Sequence, residues 1–393
     1  MRLARHAPRF AESVIRAMTQ QINRYHPDDG VNLAQGFPDF PAPAVVKEAA
    51  REAIAADLNQ YATTWGIPAL RDGLARTIGE AWGQRVDPDD EITVCCGATE
   101  SMLVAFMATL DPGDEVVIFA PSYETYAPDA VLCGAAPRYT TLRAPDWQID
   151  WDELSVLITP RTRGLVLNTP HNPTGKVFSR AELERLAALC QEHDLYCYTD
   201  EIYDRLVYDG EHISIASLPG MREQTFTVGG FSKTFSVTGW RLGYVVAPPE
   251  ATRLIRKIHD NVTCGAAHPL QAAGVAALAL GAPYVETLRA EYRVRRDYLV
   301  PALRNLDLPC TAPAGAYYVM CNIDAWATHL DLSNDRAFSD YLVHEIGVAT
   351  VPGSYFYPQG STQGDHEVRF VFCKKLETLE RAVALLEKGL RLA

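Results

Sequence analysis

The sequence reads as an α/β protein, a large domain with a mostly parallel sheet flanked by helices, followed by a smaller α+β domain. Three observations lead there. Between residues 90 and 250, short β-rich runs alternate with helical patterns, the order expected of a parallel sheet covered on both faces. After Pro283 the pattern changes to long charged helices and short mixed strands. The length of 393 residues, with 48% hydrophobic and 22% charged content, exceeds the usual size of one domain.

The elements follow in order. Residues 91–96 read as a strand and 98–110 as a helix, closed by Asp111-Pro112-Gly113. Strands are expected at 115–119 and 164–167, and Ser179-Arg180-Ala181-Glu182 opens a helix with a capping box that runs to about His193. Residues 195–199, 225–228 and 242–246 complete the strands. Helices are expected at 284–303 and 376–390. The expected division is an N-terminal arm of residues 1–40 packing on the small domain, a large domain of 41–285 and a small domain of 286–393. In such sheets, sites form where loops leave the carboxyl ends of strands. Asn172, Asp200 and Lys233 all follow strands in this way.

Composition excludes several function classes. A formal net charge of −13 disfavours a nucleic-acid surface, which needs a basic face. Nine scattered cysteines, odd in number and mostly within apolar stretches, fit buried free thiols in a reducing compartment. No Cys-x-x-Cys or His-Glu-x-x-His pattern supports a metal site. Residues 1–15 lack the continuous apolar core of a secretory signal. The apolar stretch 270–282 contains Gln271 and is too short to span a bilayer, so it reads as a buried or interface helix. A cytoplasmic protein without membrane partners is expected.

The densest chemical signal is Val228-Gly229-Gly230-Phe231-Ser232-Lys233-Thr234-Phe235-Ser236-Val237-Thr238-Gly239-Trp240-Arg241. An amine among small residues and hydroxyls, with an arginine eight positions later, suits a covalent imine beside a phosphate clamp. Alone, the lysine reads equally as a surface charge. Gly97-Ala98-Thr99-Glu100, Tyr123, Asn172-Pro173-Thr174-Gly175 and Asp200-Glu201-Ile202-Tyr203 extend the pattern. The spacings are 28 residues from Asn172 to Asp200, 3 more to Tyr203, and 33 from Asp200 to Lys233.

Together these residues resemble the class I/II (fold type I) pyridoxal phosphate aminotransferases, over essentially the whole chain. The resemblance implies pyridoxal 5′-phosphate as cofactor and amino and 2-oxo acids as substrates. Lys233 becomes the imine former and, once displaced, the base that moves the Cα proton. Asp200 pairs with the pyridine nitrogen, and Asn172 and Tyr203 hydrogen-bond the phenolate oxygen. Tyr123 stacks on the ring. The backbone and hydroxyl of Gly97, Ala98 and Thr99 hold the phosphate at a helix N-terminus with Arg241 and Ser232. Arg369, in Glu367-Val368-Arg369-Phe370, matches the arginine that grips the substrate carboxylate, which Gly36 and Asn172 also approach. Asn59-Gln60-Tyr61 resembles a segment that reaches the other subunit's cofactor phosphate, which implies a homodimer with shared active sites.

Local readings compete with several of these roles. Asp200 also suits a helix N-cap, Asn172 an Asn-Pro turn, Tyr123 a core aromatic and Arg369 an edge-strand surface charge. The family serine three residues before the lysine is Gly230 here, which removes a phosphate donor or passes its part to Ser232 or water. Gln35-Gly36-Phe37-Pro38-Asp39-Phe40 and Asn59-Gln60-Tyr61 look like the kynurenine, glutamine and methionine aminotransferase branch. That branch favours large neutral, aromatic or sulfur-containing amino acids. No second arginine stands out to receive a dicarboxylate side chain. The alternative is another outcome on the same scaffold, as a cysteine-conjugate β-lyase, cyclase or oxidase.

Overall fold

The computed structural model describes residue 10 and residues 12–392. The signal-peptide reading falls mainly on residues 1–9 and 11, outside the described residues. Strand β1 (Val31–Asn32) comes first, and eight strands form the main sheet. They are β2 (Ile92–Cys95), β3 (Glu115–Ala120), β4 (Ala136–Arg143), β5 (Gln148–Ile149), β6 (Thr162–Asn168), β7 (Tyr196–Asp200), β8 (Thr225–Gly230) and β9 (Gly243–Val246), in the order β2-β9-β8-β7-β6-β3-β4-β5.

The expected strands run as continuous apolar segments because the sheet is buried on both faces. Val117, Phe119, Leu165, Leu167 and Cys197 enter one core cluster. Val116, Ile118, Val166, Tyr198 and Phe226 enter the cluster on the opposite face. This is the period of two that a pleated strand imposes. The capping box at Ser179 is present, with the helix over Arg180–Glu192.

Strand direction decides where the site lies. Pairs β3/β4, β3/β6, β6/β7 and β7/β8 are parallel, whereas β9 is antiparallel to both β8 and β2. It follows that β2 runs with β8, and the carboxyl ends of β2, β3, β6, β7 and β8 share one edge. The amino end of β9 is at that edge too, which is why Arg241, just before Gly243, arrives there. The sequence did not disclose this reversal. It also hid β4, whose first half is partly exposed and contains Pro137, as suits a strand near the sheet edge.

A second sheet has the order β10-β13-β12, from β10 (Tyr318–Asn322), β12 (Val351–Pro352) and β13 (Glu367–Val371), all antiparallel. Strand β11 (Val348–Ala349) pairs with β1 in parallel. The helix Val14–Tyr25 buries Met18 and Ile22 in the same cluster as Val343, Val351 and Phe356. Helices span Gly281–Arg304 and Leu376–Leu392.

The stretch 270–282 is not one helix. It splits between His268–Leu278 and the helix that starts at Gly281, where φ is +61°. Gln271 is buried inside it with both amide groups satisfied, accepting from Ile67 N–H at 2.9 Å and donating to Ala266 O at 2.7 Å. Among the described residues no helix is long and apolar enough to cross a membrane. All nine cysteines are free thiols, but four are not buried: Cys264 is exposed and Cys96, Cys133 and Cys310 are half-buried.

Candidate active site

At the shared carboxyl edge lies a cleft of about 500 Å³, lined by residues from five strand ends together with Tyr318 of β10. Asp200 closes β7 and is buried. Its carboxylate accepts from Tyr126 Oη at 2.7 Å and from Ile202 N–H at 3.1 Å. Burial pushes the Asp200 carboxyl up, against these hydrogen bonds and the charge of Lys233. A cationic partner in the cleft would hold it ionised.

Lys233 follows β8 on the loop and points into the same cleft. Its Nζ donates to Gly36 O at 3.3 Å and lies 6.0 Å from the Tyr203 ring centre. Burial pulls its pKa down to about 8. A larger neutral fraction makes the amine both a nucleophile and a proton carrier near neutrality.

Tyr203 and Tyr318 place their hydroxyls 2.7 Å apart. Asn172 lines the cleft, and its Oδ1 accepts from Arg369 Nη1 at 2.9 Å. Arg369 on β13 is only 1% exposed; its Nη2 donates to Ala34 O at 2.7 Å, and its Nε has no partner among the described residues. It stacks on Tyr318 and Phe356, at 4.4 and 4.7 Å from their ring centres. No carboxylate pairs with it among the described residues. A buried guanidinium without a counter-charge is costly, so the arrangement favours an incoming anion.

The other end of the cleft is the start of the helix Ala98–Thr109. Gly97 precedes it at φ +88°, and a Cβ there would sit 2.6 Å from Arg241 Nη2. Only glycine leaves space between the guanidinium and the helix N-terminus, which together form an anion cradle with Thr99 and Ser232 nearby. Behind the cradle, Glu100 accepts from Cys96 N–H and lies 2.7 Å from His259 Nδ1, bracing the first turn. Ile202 Cδ1 fills the space beside Gly230, 2.9 Å from where its Cβ would lie. A serine at 230 would have to displace that methyl group.

These features fit pyridoxal phosphate: a carboxylate for a protonated ring nitrogen, an amine, an anion cradle and an unpaired buried cation for an amino acid's carboxylate. The cleft gathers Ala98, Thr99, Tyr123, Asn172, Asp200, Tyr203, Ser232, Lys233 and Arg241. Gly97, Gly36 and Arg369 are joined to it through Arg241, Lys233 and Asn172. Tyr61 is not in it and is 87% exposed.

Sequence reasoning missed Tyr126, which opens the helix Tyr126–Leu132 three residues after Tyr123 and meets its ring edge-on at 5.8 Å. It missed Tyr318 and Arg16, which come from distant segments. Tyr126→Phe removes one hydrogen bond to a charged group, about 1.5–3 kcal/mol. Steady-state kinetics should show kcat/KM about 10- to 100-fold lower with the cofactor still bound; unchanged kinetics would remove Tyr126 from the site.

The mostly parallel sheet and this cleft define a pyridoxal phosphate enzyme that acts on amino acids. The family model for aminotransferase class I and II matches residues 28–386, and the chain belongs to that family. It is 39% identical over 390 residues to kynurenine–oxoglutarate transaminase 1 of Homo sapiens, with 92% of each chain covered. It is 36% identical over 360 residues to methionine aminotransferase of Escherichia coli, covering 91% of this chain and 92% of that one. Among solved structures, an N-succinyldiaminopimelate aminotransferase from Mycobacterium tuberculosis superposes with a TM-score of 0.93 at 33% identity, covering 99% of this chain and 100% of that one. The chain is an aminotransferase, transferring amino groups between amino acids and 2-oxo acids.

Proposed function

We propose that this aminotransferase takes the α-amino group of a large neutral, aromatic or sulfur-containing L-amino acid, passes it to a 2-oxo acid, and works as a cytoplasmic homodimer with shared active sites. The observation that carries the reading is the meeting, at one cleft, of the buried Arg369, without a carboxylate partner among the described residues, with the half-buried, readily deprotonated Lys233. One group takes a carboxylate and the other serves the carbon beside it.

Pyridoxal phosphate, when bound, supplies a carbonyl carbon that takes up amines and a ring that accepts the electron pair left at Cα. Asp200, oriented by Tyr126, holds the proton on the ring nitrogen. The Tyr203–Tyr318 pair and Asn172 hold the ring's phenolic oxygen. Gly97, Ala98, Thr99, Ser232 and Arg241 hold the phosphate. Arg369 and Asn172 fix the substrate carboxylate, so that Cα lies near Lys233. Lys233 Nζ would anchor the cofactor and, once freed, would hold and move the proton taken from the substrate Cα.

Aromatic walls at Tyr123 and Tyr318 support a large apolar donor. The name of the human relative includes oxoglutarate, and Arg16, at the cleft mouth without an ion pair among the described residues, suits the second carboxylate of such an acceptor. The dimer reading draws on the exposed apolar side chains of Ile54, Leu58 and Tyr61 at and just after the end of the helix Ala44–Ala55. His268 Nδ1 lies 3.3 Å from Gln60 O and steadies the segment that would reach the partner. The division into residues 1–40, 41–285 and 286–393 belongs to the same reading.

A panel of amino donors with 2-oxoglutarate tests it. Phenylalanine, kynurenine or methionine should exceed aspartate in kcat/KM by about 10-fold or more, the scale of one well-filled apolar contact; a preference for aspartate overturns the donor assignment. In Arg16→Ala, KM for 2-oxoglutarate should rise about 2- to 5-fold while a monocarboxylate 2-oxo acid is unaffected, since an exposed ion pair contributes under about 1 kcal/mol.

A further inference from the structure

Outside the cleft lining, Cys310 faces Cys321 of β10 in an isolated antiparallel bridge. The accompanying hydrogen bond runs from Asn322 N–H to Pro309 O at 2.9 Å, between the residues that flank the two cysteines. That pattern marks a non-hydrogen-bonded pair, in which opposed Cα atoms stand roughly 4.5 Å apart with their side chains on one face. A disulfide accepts Cα separations from about 4.4 to 6.8 Å, so the backbone needs no rearrangement to hold one.

The two thiols differ in reach and in charge. Cys310 is half-buried, while Cys321 is fully buried. The thiols contact each other, and Arg304, which donates to Cys310 O at 3.0 Å, adds its charge beside the outer sulfur. Contact with the Cys321 thiol, helped by Arg304, holds the Cys310 pKa below its ordinary value. Burial holds that of Cys321 well above. An accessible thiolate backed by a protonated second thiol is the arrangement of an attacking and a resolving cysteine.

We propose that Cys310 and Cys321 form a reversible dithiol–disulfide site that exchanges with low-molecular-weight disulfides of the glutathione class. The Cys310 thiolate attacks one sulfur of the small disulfide, forming a mixed disulfide and expelling one small thiolate. The Cys321 sulfur then attacks Cys310 Sγ, and its proton passes to the second departing thiolate. Two protein thiols are oxidised and one small disulfide is reduced to two thiols. The new bond closes residues 310–321 into a ring that includes Tyr317, whose hydroxyl bonds Gly36 O at 2.9 Å, and Tyr318 of the cleft. Oxidation thereby clamps the segment that supports the active site.

The test incubates the holoenzyme with excess oxidised glutathione, blocks the remaining thiols by alkylation and maps the peptides by mass spectrometry without reduction. Wild type should yield a Cys310–Cys321 cross-linked peptide, two hydrogen masses lighter than the separate peptides, that disappears after reduction. Cys321→Ser should instead retain glutathione on Cys310, and Cys310→Ser should leave Cys321 unmodified. Exposed Cys264 reports that the oxidant was active. If Cys264 is modified while Cys310 and Cys321 are both alkylated, or if wild type stops at a glutathione adduct on Cys310, the proposal is overturned. The wild-type result decides by itself, so a variant that fails to fold does not blunt the test.

Discussion

Lys233→Ala lowers kcat/KM by at least about 10⁴-fold, because the variant loses a proton-transfer group worth about 10²–10⁴ together with its nucleophile. Steady-state assay of the cofactor-loaded variant checks this, and absorption spectra should show the loss of the cofactor's protein-linked band. A variant retaining a tenth of wild-type activity removes Lys233 from the chemistry. The same residue carries a pH signature in the cofactor-free protein. Burial lowers its pKa to about 8 from the ordinary 10.5, so between these values the unfolded chain binds the proton and the folded chain does not. Stability therefore rises with pH across that window, and below about pH 8, where both states carry the proton, this contribution is absent and flat. Urea unfolding should show wild type gaining on the order of 3 kcal/mol there relative to Lys233→Met, whose side chain cannot titrate.

Arg369→Ala lowers kcat/KM for every α-amino acid by about 10²–10⁴-fold, as expected for about 3–5 kcal/mol lost with one partner of a buried charge pair. The effect should spare cofactor binding, because Arg369 reaches the cleft through Asn172 and Tyr318 and lies away from the anion cradle at Gly97 and Arg241. Arg369→Lys restores charge without the two-pronged geometry that serves Asn172 and Ala34 together, so it should recover only part of the loss. Kinetics with two amino acids of different side-chain size separate this from a side-chain effect. Equal losses support carboxylate binding; a loss confined to one donor contradicts it.

What was legible in the sequence was local. Asp200 and Lys233 follow strands whose apolar runs announce them, and Gly97 stands at a strand-to-helix junction. Their convergence needed strand direction, which side-chain patterns do not encode. Strand β9 reads like its neighbours yet runs the other way, and this reversal brings Arg241 to the anion cradle. The tyrosine at 318 was invisible for a similar reason: it arrives from the second sheet and meets Tyr203 across 115 residues of chain. Gly230 was legible only as a departure from the family pattern. The structure adds that Ile202 fills the adjoining space, which no spacing rule conveys.

In this reading the amino group leaves one substrate, rests on the enzyme and enters another. Mixing the cofactor-loaded enzyme with a large neutral amino acid alone tests it most directly. A burst of 2-oxo acid should stop at one equivalent per active site and resume only when a 2-oxo acid acceptor is added. Continuous 2-oxo acid formation without an acceptor, accompanied by free ammonia, would contradict it.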